Sequence, residues 1–201
     1  MQENEIRKAG DYEITHAIHI GEKELVLGEN LSAEDGMCYL VAYCETNGML
    51  QRYTDCMISD DFVEVAEIFA ERLQAQVQQV KEEHEQIPIP TNPIGWDQCI
   101  PMHECGDIEN KIVVVRPSVL RAEHRIATKQ IYIAKSGNGV KAQSRGTAVY
   151  CDNLYTGNHT RFERYDFMGV LNPEHYPEWV IDRIKDMPNL QKQKKDKEPE
   201  R

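Results

Sequence analysis

The chain has 201 residues, 40% of them hydrophobic, and sets 34 acidic side chains against 23 Lys and Arg, for a net charge of −11. That size supports a proper core, in one domain or two small ones. Its longest apolar runs, Cys38 to Cys44 and Ile112 to Val115, fall far short of the roughly 20 residues that a bilayer-spanning helix needs, so no membrane partner is expected.

The charge is polarised along the chain. Nineteen acidic residues fall in the first ninety positions against six Lys and Arg, which leaves that half at −13. Residues 91–182 stand at −1, and residues 183–201 are basic at +3. A field of that sign repels nucleic acid and attracts basic surfaces. The sequence opens on polar residues with no apolar stretch behind them, so no signal peptide is expected. The six cysteines are accordingly expected as reduced thiols and the protein as cytoplasmic.

In chain order, residues 11–57 read as antiparallel strands: Tyr12 to Ile20, Leu25 to Leu27, Cys38 to Glu45 and Leu50 to Met57. Gly21-Glu22 and Thr46-Asn47-Gly48 supply the turns, and Asn-Gly between two β-rich runs is a strong hairpin signal. A helix follows from Asp60 or Asp61 to about His84. Asp61 and Glu64 have capping-box spacing, and Phe62, Val65, Ala66, Phe69, Leu73, Val77 and Val80 form one apolar stripe. Prolines 88, 90, 93 and 101 mark residues 87–110 as an extended connector. A second β-rich unit is expected over 111–187, with strands Ile112–Arg116, Gln130–Ala134, Thr147–Cys151 and Arg161–Phe167. A short helix would close it after Pro177, and Gly137-Asn138-Gly139 reads as a hairpin turn. Residues 118–127 are open to a short helix. The tail, 188–201, is charged, has no apolar side chain from Gln191 onward and reads as disordered. The fold class is α+β: an antiparallel sheet (1–86) covered by one long helix, then a small, mostly antiparallel β unit.

Three residue sets carry candidate chemistry. Cys99, His103 and Cys105 offer three zinc-type ligands from one loop, although no Cys-x2-Cys pair accompanies them; ordinary loop thiols are the plainer reading. Arg145, Arg161 and Arg164 mingle with Tyr132, Tyr150, Tyr155, Phe162 and Tyr165, the mixture that single-strand binders use, but the unit is not basic. Asp60, Glu64, Glu67 and Glu71 recur at steps of four, three and four, one carboxylate per turn along the outer face of the helix. A solvated face explains such a row by itself. A row that extends an acidic excess across the whole N-terminal half also suits a basic protein partner. No combination of residues forms a convincing nucleophile, base and orienting group, so no catalytic residue and no cofactor is expected.

From about residue 130 to 179 the chain resembles a segment of accessory proteins of bacterial conjugative and integrative elements. The resemblance rests on a strand ending near Ala134, Arg145-Gly146-x-Ala148-Val149, Leu154 before Gly157, and Arg161. Arg164-x-Asp166-Phe167-x-Gly169 and Pro173-Glu174-His175-x-Pro177-x-Trp179 complete it. Cys151-Asp152 departs from the more apolar or glycine-bearing character of those segments. The resemblance implies a mobile-element protein, in a neighbourhood that includes anti-CRISPR and anti-restriction inhibitors, and implies no catalytic residue. The expectation is a non-enzymatic acidic protein that binds a basic nucleic-acid enzyme such as a Cas nuclease through Asp60, Glu64, Glu67 and Glu71. Nucleic-acid binding through the Arg-rich β unit is the alternative, and a zinc module the second.

Overall fold

The computed structural model describes residues 7–47 and 50–185. The chain divides between Gln86 and Ile87 into two units, each built on a wholly antiparallel sheet with helical elements, an α+β protein. No helix among the described residues is long and apolar enough to cross a membrane.

In the first unit β1 (Lys8–Ala9), β2 (Tyr12–Ile20), β3 (Lys23–Glu29), β4 (Tyr39–Asn47) and β5 (Leu50–Ser59) lie side by side in chain order. Side chains alternate across a strand, so β3 feeds two cores. Leu25 and Leu27 join Val41 beneath Val65, Ile68, Phe69 and Leu73 of α1 (Phe62–Glu85). Val26 points the other way, among Leu40, Ala42, Cys44 and Ala9. The guanidinium of Arg7 ties this second face together: it meets the Glu24 carboxylate on β3 at 2.5 Å and donates to the Tyr53 hydroxyl on β5 at 3.0 Å. Gly21 takes φ +72 in the tight turn between Ile20 and Lys23, a conformation glycine adopts without cost. Pairing in the next hairpin runs out to Asn47 opposite Leu50. The expected turn residue Gly48 lies outside the described residues, as does the tail 188–201.

Helix α1 begins as its sequence dictates. Asp61 caps it, its side chain accepting from the Val63 amide at 2.7 Å. The expected reciprocal bond from Glu64 goes elsewhere: the Ser59 hydroxyl donates to Glu64 at 2.5 Å and itself accepts from the Asp61 amide at 3.1 Å. Ser59, the last residue of β5, thus welds strand to helix.

The second unit holds β6 (Cys99–Pro101), β7 (Ile112–Val115), β8 (Ile131–Ser136), β9 (Ala148–Asn153), β10 (His159–Glu163) and β11 (Phe167–Leu171), in the order β10-β9-β8-β7-β11-β6. Every residue of β7 and β11 is buried. Ile112, Val114, Ile131 and Ile133 face one core with Trp179, while Val113, Val115, Tyr132 and Ala134 face the other with Phe167. The ambiguous stretch 118–127 contains a 3-10 turn at Ala122–His124, with α2 (Ala127–Gln130) directly after it; residues 178–185 are helical.

Three expectations are corrected. Residues 87–110 are not a free connector, because Ile94 and Ile108 are core residues and Cys99–Pro101 is the strand β6 paired with β11. The single strand expected at Arg161–Phe167 is two, broken by a 3-10 turn at Arg164–Asp166; β10 ends at one edge of the sheet, and β11 resumes between β7 and β6. The Asp166 carboxylate accepts from the Glu163 amide at 2.8 Å and fixes that break. Finally, Gly137-Asn138-Gly139 is not a tight hairpin turn. It leads into a 3-10 turn at Asn138–Val140, where Gly139 is buried so closely that a Cβ would stand 2.1 Å from the Thr147 carbonyl oxygen.

Candidate partner-binding site

At about 100° per residue, Glu64, Glu67 and Glu71 fall within a strip about 60° wide, opposite the face that packs on the sheet, whereas the expected fourth member, Asp60, lies before the extended cap residue Asp61 and off the helix. All four are exposed. Asp60 precedes the first helical turn, and Glu64 is held by Ser59, so Glu67 and Glu71 are the two carboxylates with no structural task. Sequence reasoning stopped the row too early. The same strip continues through Gln78 to Glu82 and Glu85, and Gln78 donates to Glu82 at 3.0 Å. The signal was present in the same three-and-four spacing.

Four of the six Lys and Arg of this unit are committed elsewhere. Arg7 pairs with Glu24, Lys8 with Glu13 and Lys23 with Glu45, all within the sheet. Arg72 and Lys23 both lie over the Tyr43 ring, 5.2 and 5.3 Å from its centroid, and Arg72 also donates to the Asp55 carbonyl at 2.8 Å. Among the described residues none of the four stripe carboxylates is in an ion pair. Beside them, Val63 is 71% exposed, one turn before Glu67 on the helix surface.

The arginines of the alternative reading do not converge. Arg164 donates to the carbonyls of Gly139 (2.8 Å), Cys105 (3.1 Å) and Gly106 (2.8 Å), so it staples two loops together. Arg161 pairs with Glu163 on its own strand, while Arg145 is exposed on the loop before β9. Of the aromatic residues, Tyr132 is buried, and Phe162 packs edge-on against both Tyr132 (5.1 Å) and Phe167 (5.7 Å). Those rings are core, not stacking platforms.

The zinc-type set is likewise dispersed. Cys99 belongs to one core of the sheet and Cys105 packs against the other. The Cys105 thiol is 3.3 Å from the Pro101 carbonyl, and His103 is exposed beside Glu104 at 3.5 Å. No group of three metal-type side chains comes together among the described residues. Burial, with a smaller contribution from Asp97, pushes the Cys99 thiol up to about 11. The Cys151 thiol is pushed up to about 12, again chiefly by burial. Both are packing groups.

No family model, curated protein or solved structure matches the sequence.

Proposed function

We propose that this chain is a non-enzymatic binding protein that offers the carboxylate strip of α1 to a basic surface of a nucleic-acid-handling protein. On this reading it is a mobile-element inhibitor of a host defence nuclease, of the Cas type. The observation that supports it is the uncompensated row: among the described residues Glu67 and Glu71 have no cation and no helix-capping duty, whereas three of the unit's six Lys and Arg are paired with other carboxylates. Glu82, Glu83 and Glu85 strengthen the point. They crowd the C-terminal end of α1, where the helix dipole disfavours negative charge, and Glu82 and Glu83 are held there by Gln78 and Gln79 one turn earlier.

A basic channel built for phosphates would form charge-assisted hydrogen bonds to such carboxylates. Val63 would supply the apolar anchor that charged rims do not. The test is capture of host proteins on the immobilised full chain at low salt, with release attempted separately by high salt and by duplex DNA. A captured nuclease released by both is the expected result. Capture that survives both would overturn the reading.

A further inference from the structure

The second unit contains an open cleft of about 550 Å³ whose walls differ in kind from the rest of this acidic molecule. Trp96 and Tyr165 stand in its walls, 55% and 61% exposed, and Met168 of β11 also lines it. Large aromatic surface left in water is costly, and rings with one face free are a common ligand platform. Both rings are carried on fixed turns. Trp96 opens a 3-10 turn in which the Gly95 amide donates to the Gln98 side chain at 2.9 Å, and the Gln98 carbonyl accepts from Asn172 at 2.9 Å. Tyr165 sits in the turn capped by Asp166, whose carbonyl accepts from the Arg116 amide at 2.8 Å.

The charge of the cleft has one sign. The Arg116 guanidinium lies 5.7 Å from the Trp96 ring centroid and donates through Nε to the Phe167 carbonyl at 3.2 Å. Among the described residues its two terminal nitrogens meet no acceptor and no carboxylate pairs with it. Arg164 also borders the cleft, its guanidinium donating to three carbonyl oxygens. Two carboxylates touch lining residues, Glu163 through the Thr147 hydroxyl and Glu104 beside His103, but no Asp or Glu lines the cleft itself.

From this juxtaposition of an exposed indole, an exposed phenol ring and an unpaired guanidinium we infer that the cleft binds a planar aromatic anion: a nucleotide, free or as one unit of a single strand. A bare phosphate would leave the rings unused, and an uncharged ring would leave Arg116 unused. The cavity volume suits a ligand of that size. The inference concerns the second unit and does not depend on the role of α1.

The test uses the full chain carrying Trp179→Phe, which leaves Trp96 as the one tryptophan reporter. Adenosine monophosphate, adenosine, inorganic phosphate and a short single-stranded oligonucleotide are titrated against its fluorescence. Saturable quenching by the monophosphate, at least tenfold weaker for adenosine and for phosphate, is expected. Tighter binding of the oligonucleotide than of the monophosphate assigns the strand as source, and the reverse order assigns the free nucleotide. Arg116→Gln and Tyr165→Leu should each weaken binding about tenfold, with equilibrium dialysis on Trp96→Leu as a check independent of fluorescence. The inference fails if neither monophosphate nor oligonucleotide quenches, if adenosine binds as well as its monophosphate, or if the folded Tyr165→Leu and Trp96→Leu proteins bind as wild type does.

Discussion

The carboxamide of Gln130 closes a two-way hydrogen bond with the backbone of Ile94: its oxygen accepts from the Ile94 amide at 2.9 Å and its nitrogen donates to the Ile94 carbonyl at 3.3 Å. Gln130 is fully buried, and the bond spans 36 residues of chain. One side chain here does what a paired strand does, and it binds the proline-rich stretch after α1 into the core of the second unit.

Gln130→Ala leaves both backbone groups of Ile94 buried without a partner. Each orphaned group costs about 1–3 kcal/mol, so the second unit should lose about 2–6 kcal/mol. Both tryptophans, Trp96 and Trp179, lie in this unit, so denaturant unfolding followed by tryptophan fluorescence reads it directly. A loss below about 0.5 kcal/mol would show that the bond is incidental.

Gly169 is required for a steric reason. A Cβ there would stand 1.9 Å from the Ile100 carbonyl oxygen and 2.8 Å from its carbon, both backbone atoms of β6. Gly169→Ala must therefore push β6 off β11, at a cost of about 3 kcal/mol. Amide exchange should show it locally, with the Met102 amide, bonded to the Met168 carbonyl at 3.1 Å, losing protection. Gly157→Ala is the contrast. Nothing lies within 4 Å, but φ is +74, so only the left-handed penalty of about 1–2 kcal/mol applies.

The thiols should separate by burial. Cys56 is exposed and should alkylate first, while Cys99 and Cys151 should stay protected in the native protein at pH 9. Their folded values, about 11 and about 12, lie above the ordinary thiol value of 9.0. The unfolded chain therefore loses these protons first as pH rises. The associated stability is whole below pH 9 and declines from there until the folded thiols ionise. Urea midpoints measured from pH 8 to pH 11 should fall, and Cys99→Ala/Cys151→Ala should flatten that fall whatever it does to the midpoint itself.

Much of the fold was legible because its signals are local. Apolar runs bounded by the turn residues Gly21-Glu22 and Thr46-Asn47-Gly48 mark β2 to β5, and the α1 stripe and its Asp61 cap follow from helical spacing within one element. Residues 87–110 were misread because proline density marks extended chain, and an edge strand such as β6 is extended chain too; one buried Ile94 gives no periodicity. The break between β10 and β11 was hidden because Phe162 and Phe167 both belong to one core, so the apolar pattern runs on through the turn. Metal-like spacing misled for a related reason, since the chain crosses from one face of the sheet to the other between Cys99 and Cys105. The carboxylate strip could be read from helical period alone. The aromatic cleft could not, because Trp96, Arg116 and Tyr165 meet only through the pairing of β7, β11 and β6.

The most direct measurement compares wild type with Glu67→Lys/Glu71→Lys in one low-salt capture, alongside their melting temperatures. Glu64 is left intact because it holds Ser59. The account predicts matching melting temperatures and loss of the captured nuclease by the reversed protein. A reversed protein that melts like wild type and holds the same partner through the same salt series would contradict it.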